Sequence, residues 1–487
     1  MEDFTDIRFS KVYLDLKNAC EKKSIELARI VPEDYPDADI AEALQELPLS
    51  YQLYFLRVLK TEVAAEIFSY FEDESKSRLV HSFTEDWGRD LLQELNSDEL
   101  ADVIDDLPVN LQIKVLSQTP PEKRKLINTI LNYDDDQVGS IMTVDITTLK
   151  SDLTCAQAIS KIRSDFNNNE TEIVHYFYVI DEKRKLLGSI SLEEIVFSNQ
   201  NKKIEDLYSP VRSIKATDDK EYAANIFSDH DMSSLPVVDS KDHVLGMITA
   251  DNVIDVIRES ATEDMYKLAG INPDAAEDSY VKTSVKQIVW SRIIWLLVLM
   301  VSATLSQFII QEFTEISEKF LEGIKVIVST SIIVAMIPVI SGAAGNAGSQ
   351  SSTTITRALS LNEITIKDIG RVVFKELKVS ALIGIILFAA NFARLIIYFS
   401  ITQDLFEPGW TGDIILITTA SSISLFFVIV FAKFLGTIIP VVALKLKKDP
   451  AVMSAPILAT LSDAISTLFF FGITLLIFII KYGFPQS

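Results

Sequence analysis

An acidic stripe near the middle of the chain has the spacing and chemistry of a cation-binding face. Its four carboxylates recur at every fourth residue: Asp251, Asp255, Glu259 and Glu263. If residues 251–268 are helical, these side chains share one face with Asp264 beside them, and each like-charged pair costs roughly 0.2–0.5 kcal/mol. Carboxylates are the hard oxygen ligands that Mg²⁺ and Ca²⁺ prefer. The spacing therefore predicts either a solvated helix face or a surface whose repulsion divalent cations relieve.

A shorter acidic stripe lies earlier in the chain, at Asp98, Asp102 and Asp106. Ser97 precedes it, and we expect this residue to be the N-cap of a helix that begins there. The same two interpretations apply. If divalent cations bind both stripes, acidic surfaces that repel one another without the ion could approach when it is present.

Asp463 is a carboxylate inside an apolar run. The run begins at Ala451, and Asp463 is its thirteenth residue. A charge near the centre of a membrane helix costs roughly 2.5–3.5 kcal/mol on insertion scales, so such a residue marks an ion site by default. A hydrogen bond to a neighbouring helix is the alternative. Thr460 and the upstream Pro456 fit a cation path lined by oxygens.

Small and polar residues follow Pro338 in a second apolar run: Ser341-Gly-Ala-Ala-Gly-Asn-Ala-Gly-Ser-Gln350. Such residues let backbones approach closely and leave carbonyl groups free. Irregular backbone at membrane depth is tolerated only where protein buries it or a water-filled cavity receives it. The segment predicts either simple helix packing or a pore wall, with Gly345, Asn346 and Gly348 as lining candidates.

Five apolar runs after residue 285 are candidates for membrane-spanning helices. They are Ile288–Ile310, Ile324–Ile340 with its Gly/Ser continuation to Leu359, Val379–Ser400, Ile414–Leu444 and Ala451–Ile480. A helix needs about 20 apolar residues to cross a bilayer, which each run provides once the second is extended. Three further charges lie in or near the runs. We expect Arg292 to reach the cytoplasmic edge, whereas the sequence names no partner for Arg394 or Lys433.

The loops between the runs predict an orientation. Basic residues cluster between runs two and three and between runs four and five, at Arg357, Lys367, Arg371, Lys375, Lys378, Lys445, Lys447 and Lys448. The other two loops are rich in acids. The positive-inside rule places basic loops in the cytoplasm. We therefore expect a multi-pass protein of the cell (inner) membrane with its N-terminal half in the cytoplasm and its C-terminus outside.

Charge divides the chain of 487 residues into two unlike parts. Residues 273–487 contain 16 basic and 15 acidic residues, a net charge of +1. Since the whole chain has a net charge of −23, residues 1–272 have a net charge of −24. So acidic a surface repels phosphate backbones, which argues against nucleic-acid binding. The two cysteines, Cys20 and Cys155, fit a reducing cytosol. The sequence contains neither a nucleophile–base set nor a transition-metal cluster, so we expect no enzyme activity.

The acidic part contains an internal repeat with an offset of 58 residues. Tyr178-Val-Ile-Asp181 followed by Leu187-Gly-Ser-Ile-Ser191 recurs as Pro236-Val-Val-Asp239 followed by Leu245-Gly-Met-Ile-Thr249. Each unit predicts strand, turn, strand and helix, and the pair resembles tandem CBS domains. Residues 1–135 predict short amphipathic helices that end at Leu-Pro, as at Pro48 and Pro108. Such helices favour a small α-solenoid, since each must stack on a neighbour.

Taken together, these features resemble the MgtE magnesium transporters over nearly the whole chain. The most specific stretches are Ala261-Thr-Glu-Asp-Met-Tyr-Lys-Leu268, Pro338 to Gln350, and Asp449-Pro-Ala-Val with Pro456 and Asp463. The resemblance implies a multidomain chain with a superhelical N-domain, an α+β CBS pair and an all-α membrane domain. We expect an acidic N-domain at 1–135, CBS domains at 136–200 and 201–260, a connecting plug helix at 261–286, and five membrane helices within 287–487.

The resemblance also implies a function and a site. Members form homodimers in the lipid bilayer, conduct Mg²⁺ down its electrochemical gradient and close when cytosolic Mg²⁺ binds the N-domain, CBS domains and plug helix. By position, Asp463 would receive the hydrated ion in the pore, which Gly345, Asn346, Gly348, Pro456 and Thr460 would line. The residues implied as cytosolic Mg²⁺ ligands are Asp98, Glu99, Asp102, Asp251, Asp255, Glu259, Glu263 and Asp264.

Several positions depart from the family pattern. Members commonly have Gly-Gly-Asn where this chain has Ala344-Gly345-Asn346, and Asp-Asp where it has Asp251-Asn252. More glutamate is usual where Arg258 and Ser260 stand. Fewer acids imply fewer or weaker regulatory sites, so we expect closure at a higher Mg²⁺ concentration. Some members bind ATP at their CBS domains, but Asn252 replaces the usual aspartate of the Thr-x-x-Asp motif, which argues against a nucleotide here.

The same sequence features are compatible with other functions. One is a transporter for another divalent cation, such as Co²⁺ or Ca²⁺, regulated by the same CBS pair. Another is a CBS-gated anion transporter, against which Asp463 argues because an intramembrane carboxylate would repel anions.

Overall fold

The chain forms two compact units, Met1–Arg258 and Glu259–Ser487. The computed structural model describes residues 2–83, 85–167, 171, 174–230, 232–273, 280, 283–324, 329–361, 363–402, 411–446 and 449–483. The first unit holds helical and mixed α/β parts, and the second is helical in its described residues. The multidomain architecture predicted from the sequence is confirmed.

Ten α-helices occupy the described residues up to Ile130. They are α1 (Glu2–Glu21), α2 (Ile25–Asp34), α3 (Asp37–Gln45), α4 (Leu49–Val58), α5 (Thr61–Ser69), α6 (Asp73–Ser82), α7 (Glu85–Glu94), α8 (Ser97–Asp105), α9 (Val109–Gln118) and α10 (Pro121–Ile130). The Leu-Pro stops are confirmed, since Pro48 and Pro108 are the N-caps of α4 and α9. Proline suits this position because the first turn needs no backbone donor. Helices also pack against the second helix after them in the chain: α3 packs on α5, and α5 packs on α7.

One predicted helix start is wrong. Asn96, not Ser97, is the N-cap of α8, where Asn96 and Glu99 form a reciprocal capping box. Ser97 instead uses its backbone N–H and its hydroxyl to donate to the carboxylate of Asp145, at 2.6 and 3.0 Å. Both residue types are good caps, so the distant partner Asp145 decides which of them takes the role.

The 58-residue repeat folds twice in the same way. The first copy is β1 (Thr148–Lys150), α11 (Cys155–Asn167), β2 (Tyr176–Ile180), β3 (Leu186–Ser191) and α12 (Leu192–Phe197). The second is β4 (Ile214–Lys215), α13 (Lys220–Asp229), β5 (Ser234–Val238), β6 (Val244–Thr249) and α14 (Ala250–Leu268). Each sheet pairs its first two strands in parallel and its last two antiparallel.

The turns explain why the repeat is visible in the sequence. In the first copy the Asp181 carboxylate accepts from the backbone N–H groups of Lys183 and Lys185, both at 2.8 Å. Asp239 does the same in the second copy, from Lys241 and His243. An aspartate at a strand end that binds its own turn fixes the hairpin register. The copies differ at the end, because α12 stops at Phe197 and α14 continues to Leu268.

Five helices among the described residues are long and apolar enough to cross a membrane. They are α15 (Val285–Gly323), α16 (Thr330–Ser360), α17 (Ile369–Ile401), α18 (Thr411–Lys445) and α19 (Pro450–Tyr482). The five predicted spans are confirmed, including the extension of the second through its Gly/Ser segment. Of the basic loop residues, Lys447 and Lys448 lie outside the described part of the chain.

The glycine-rich segment does not interrupt its helix. Residues 341–350 are helical throughout α16, and Pro338 lies within the same helix. Small side chains permit a continuous helix to approach its neighbours closely, so irregular backbone is not needed here. Helix α18 is the centre of the unit, in contact with α16, α17 and α19, and it carries buried residues along most of its length.

Candidate functional site

Asp463 lies on the surface of helix α19, within the part of that helix that is apolar enough to cross a membrane. Its side chain is exposed in the single chain. The hydroxyl of Ser341, on α16, donates a short hydrogen bond to Asp463 Oδ1. The carboxylate is therefore tied to α16 on one side and remains accessible on the other, which is the arrangement an ion ligand needs.

The adjoining face of α16 is open and polar. Asn346 is exposed, and no described atom comes within 4 Å of a Cβ placed on Gly342 or Gly345. These positions share one helix face because they are three and four residues apart. Thr460 is half-buried one turn before Asp463 on α19. The structure thus places Gly345 and Asn346 on α16 and Thr460 and Asp463 on the neighbouring α19, with the Ser341–Asp463 hydrogen bond between the two helices.

Gly348, three residues after Gly345, lies at the edge of this open face, where α16 packs on its neighbours. It is buried, and a Cβ placed on it would come within 3.1 Å of the Ala432 carbonyl and of Leu458. A Cβ on Gly436 of α18 would come within 2.2 Å of the Gly348 carbonyl oxygen. Gly348 therefore permits close packing of α16 on α18. The side chain of Pro456 lies outside the described part of the structure.

The acidic stripe predicted near the middle of the chain lies on one helix, α14, as expected. Asp251, Asp255 and Glu259 are exposed along it, whereas Glu263 is half-buried. Asn252 lies at the start of the helix, where its amide oxygen accepts from the Thr249 backbone N–H at 3.2 Å and from the Thr249 hydroxyl at 2.5 Å.

The end of α14 contacts the ends of two membrane helices. Lys267 Nζ lies 2.5 Å from Glu263 Oε1 and 2.6 Å from Asp449 Oδ2, next to the first residue of α19. Asp264 shares a hydrogen bond with Ser360, the last residue of α16. Desolvation and the nearby Asp449 carboxylate raise the pKa of Asp264. The sequence offers Lys267 as a local counter-charge for Glu263 and Asp264, the expected ion ligands, but its contact with Asp449 was not predicted, because the two residues are 182 positions apart.

The shorter stripe on α8 is divided between structural and electrostatic roles. Glu99 accepts from the Asn96 backbone N–H at 3.0 Å and so stabilises the helix start. The pKa of Asp102 is raised to about 7, chiefly by desolvation; Lys76 lowers it, and Asp73, Asp106 and Glu99 contribute to the rise. Among the described residues, no three His, Cys, Asp or Glu side chains come together as a ready metal cage. A hydrated Mg²⁺ needs only one or two carboxylates.

A chain with these parts belongs to the class of membrane transport proteins that carry a CBS pair. Family models match it in three parts: a divalent cation transporter domain at 337–473, the MgtE intracellular N domain at 35–136, and CBS domains at 138–199 and 204–259. The chain therefore belongs to the MgtE family.

Two relatives are similar to this chain along nearly its whole length. A magnesium transporter MgtE of Thermus thermophilus is 27% identical over 472 residues, which are 96% of this chain and 98% of that protein. A magnesium transporter MgtE of Bacillus subtilis is 28% identical over 446 residues, 91% of this chain and 92% of that one. A crystal structure of the soluble part of a magnesium transporter covers 53% of this chain and 99% of that chain, with 26% identity and a TM-score of 0.47.

Proposed function

We propose that this protein conducts Mg²⁺ into the cell down its electrochemical gradient, along the face that α16 and α19 present. The single observation that carries the proposal is the Asp463 carboxylate, exposed at membrane depth and held by Ser341. An exposed carboxylate there is costly unless it serves an ion. The relatives described as magnesium transporters support Mg²⁺ as that ion.

The proposed conducting form is a homodimer. In a single chain, Asp463 and Asn346 would face lipid, which cannot hydrogen-bond to them. A second copy that covers the same face would enclose these groups in a polar path and give the ion ligands from both copies. The proposed topology places residues 1–272 in the cytoplasm and the C-terminus outside, in agreement with the basic loops.

Cytosolic Mg²⁺ is the proposed closing signal. Its proposed ligands are Asp98, Glu99, Asp102, Asp251, Asp255, Glu259, Glu263 and Asp264. The contact between the end of α14 and residues Ser360 and Asp449 supports this proposal, because it connects an acidic helix to the ends of α16 and α19. Bound Mg²⁺ would relieve the repulsion along α14 and favour the closed position of that helix.

Mg²⁺ uptake into proteoliposomes tests the conduction proposal. We expect D463A and D463N to lose most of the uptake seen with the wild type, because both remove the charge that attracts the ion. E312Q is the matched control, since Glu312 is an exposed carboxylate on α15. Competition with Co²⁺ and Ca²⁺ in the same vesicles measures selectivity. Unchanged Mg²⁺ flux in D463A would remove Asp463 from the path, and preferred uptake of Co²⁺ would change the substrate.

A further inference from the structure

Three membrane helices meet at a closed triangle of buried polar groups, which we call the Lys433 triad. Lys433 Nζ, on α18, donates to Ser351 Oγ of α16 at 2.8 Å and lies 3.5 Å from Glu376 Oε2 of α17. Ser351 Oγ in turn donates to the same Glu376 oxygen at 2.8 Å. Lys433 and Ser351 are buried, and 17% of the Glu376 side chain is exposed. The sequence offered no partner for Lys433, and the structure supplies two.

The triad lies behind the open polar face of α16. Ser351 follows Asn346 by five residues, which is about 140° around a helix. Ala347, one turn before Ser351, is buried against Leu425 and Ile429 of α18. The triad therefore holds one side of α16, and Asn346 lies on the other.

Stabilisation of the helix packing alone does not explain why an ion pair is buried at this position. Apolar side chains of similar size often replace such a pair without loss of stability, and its best-attested role is to specify one arrangement of helices. The Ser351 hydroxyl accepts from Lys433 and donates to Glu376, so only one rotation of α16 satisfies both bonds. A rotation of α16 would also move Ser341 and Asn346 relative to Asp463.

We propose that Lys433 is a positioning residue for ion recognition: through Ser351 and Glu376 it fixes the rotation of α16, and so the placement of Ser341 beside Asp463. This inference rests on the proposed conduction along α16 and α19. It predicts that removal of the pair leaves a folded protein whose α16 is no longer held in one rotation and whose ion site is less well formed.

The test compares K433M/E376M, which removes both charges, with K433R, which keeps the charge, and with K445M. Lys445 is an exposed lysine at the end of the same helix, so its variant controls for loss of a positive charge. Thermal unfolding in detergent identifies the folded variants. The single variant K433M leaves Glu376 unpaired and is expected to be less stable, so the double variant carries the test.

Two readouts are made on each folded variant. The first is labelling of A347C and N346C by a water-soluble thiol reagent, against the background of the buried Cys20 and Cys155. In the wild type we expect N346C to react and A347C to be protected, and in K433M/E376M the reactivity of A347C rises toward that of N346C. The second is the half-saturating Mg²⁺ concentration for uptake, which we expect to rise about tenfold, as for loss of a residue that orients a metal ligand.

Both changes together support the proposal, with K433R and K445M close to the wild type. Wild-type labelling in the double variant overturns it, whatever the uptake, because α16 then keeps its rotation without the pair. Altered labelling with an unchanged half-saturating concentration also overturns it, since the rotation would not matter to the ion. If uptake by the wild type proves independent of Asp463, the conduction proposal fails, and the labelling still decides whether the triad fixes α16.

Discussion

At the scale of single residues, the Asp102 carboxyl has the most distinctive titration. Desolvation raises its pKa from 3.8 to about 7. Between about pH 4 and pH 7 the folded protein therefore binds more protons than the unfolded chain, so the free energy of unfolding falls as pH rises through that window. We expect D102N to be more stable than the wild type at pH 8, by about 1 kcal/mol after allowance for solvent screening, and to show little difference at pH 4.

Chemical unfolding at both pH values measures this difference. D105N is the control, because it removes the same charge three residues further along the same helix. If Asp102 also binds Mg²⁺, the ion competes with a proton there, and the Mg²⁺ concentration for closure should rise as pH falls from 8 to 6. A pH-independent closure midpoint would remove Asp102 from the set of regulatory ligands.

The Gly436 position gives a second prediction at the residue scale. A Cβ there would come within 2.2 Å of the Gly348 carbonyl oxygen, in backbone that cannot move aside easily. We expect G436A to lower the stability of the helical unit by about 1–3 kcal/mol, the usual cost of overpacking. G472A is the matched control, since no described atom lies within 4 Å of its added Cβ. A melting temperature in detergent that is equal for G436A and G472A would contradict the close contact.

At the scale of elements, the contact at the end of α14 depends on one lysine. Lys267 lies between Glu263 and Asp449, and without its ammonium group three carboxylates, including Asp264, would meet at the ends of α16 and α19. We expect K267Q to close less readily, because the charge-assisted bonds of the ammonium group are lost. A loss of about 1.4 kcal/mol would raise the Mg²⁺ concentration for half-maximal closure roughly tenfold.

Uptake at graded Mg²⁺ concentrations on the cytoplasmic side measures that midpoint. K286Q, at an exposed position near the start of α15, controls for the loss of a positive charge. The charge-exchanged variant K267D/D449K restores an opposite pair and should recover part of the effect. An unchanged midpoint in K267Q would show that this contact does not take part in closure.

The departures from the family pattern on α14 lead to a prediction in the opposite direction. Arg258 and Ser260 stand where glutamate is usual in the family. We expect R258E/S260E to close at a lower Mg²⁺ concentration than the wild type, because added carboxylates increase both the repulsion without Mg²⁺ and the attraction of the ion. R258Q/S260Q separates the effect of the new charges from the loss of the arginine. A midpoint that stays or rises in R258E/S260E would contradict the proposal that acids on α14 detect Mg²⁺.

At the scale of the whole molecule, local sequence patterns were enough to predict the helices, strands and repeat. Contacts between residues far apart in the sequence could not be predicted from such patterns. The spans follow from runs of apolar residues, and the repeat follows from the turns at Asp181 and Asp239, which bind their own backbone. Asn96 and Ser97 are equally good caps until Asp145 binds one of them. The sequence likewise places Gly345 and Gly348 in one segment, but only the position of α18 shows which of them packs and which lies on the open face.

The net charge of −24 on residues 1–272 gives the last prediction, which concerns the whole cytoplasmic part. Salt weakens the repulsion between acidic surfaces over about 8 Å at physiological ionic strength, but a monovalent ion does not connect two carboxylates. If Mg²⁺ closes the protein by binding acidic sites, millimolar Mg²⁺ should protect the full-length protein from limited proteolysis, and KCl at equal ionic strength should not. Loss of that protection in D255N/E259Q, but not in E205Q, at an exposed position outside α14, would connect it to α14. Equal protection by KCl would mean that screening of the repulsion is enough to let the acidic surfaces associate. The acidic residues of the cytoplasmic part would then not act as a Mg²⁺ sensor.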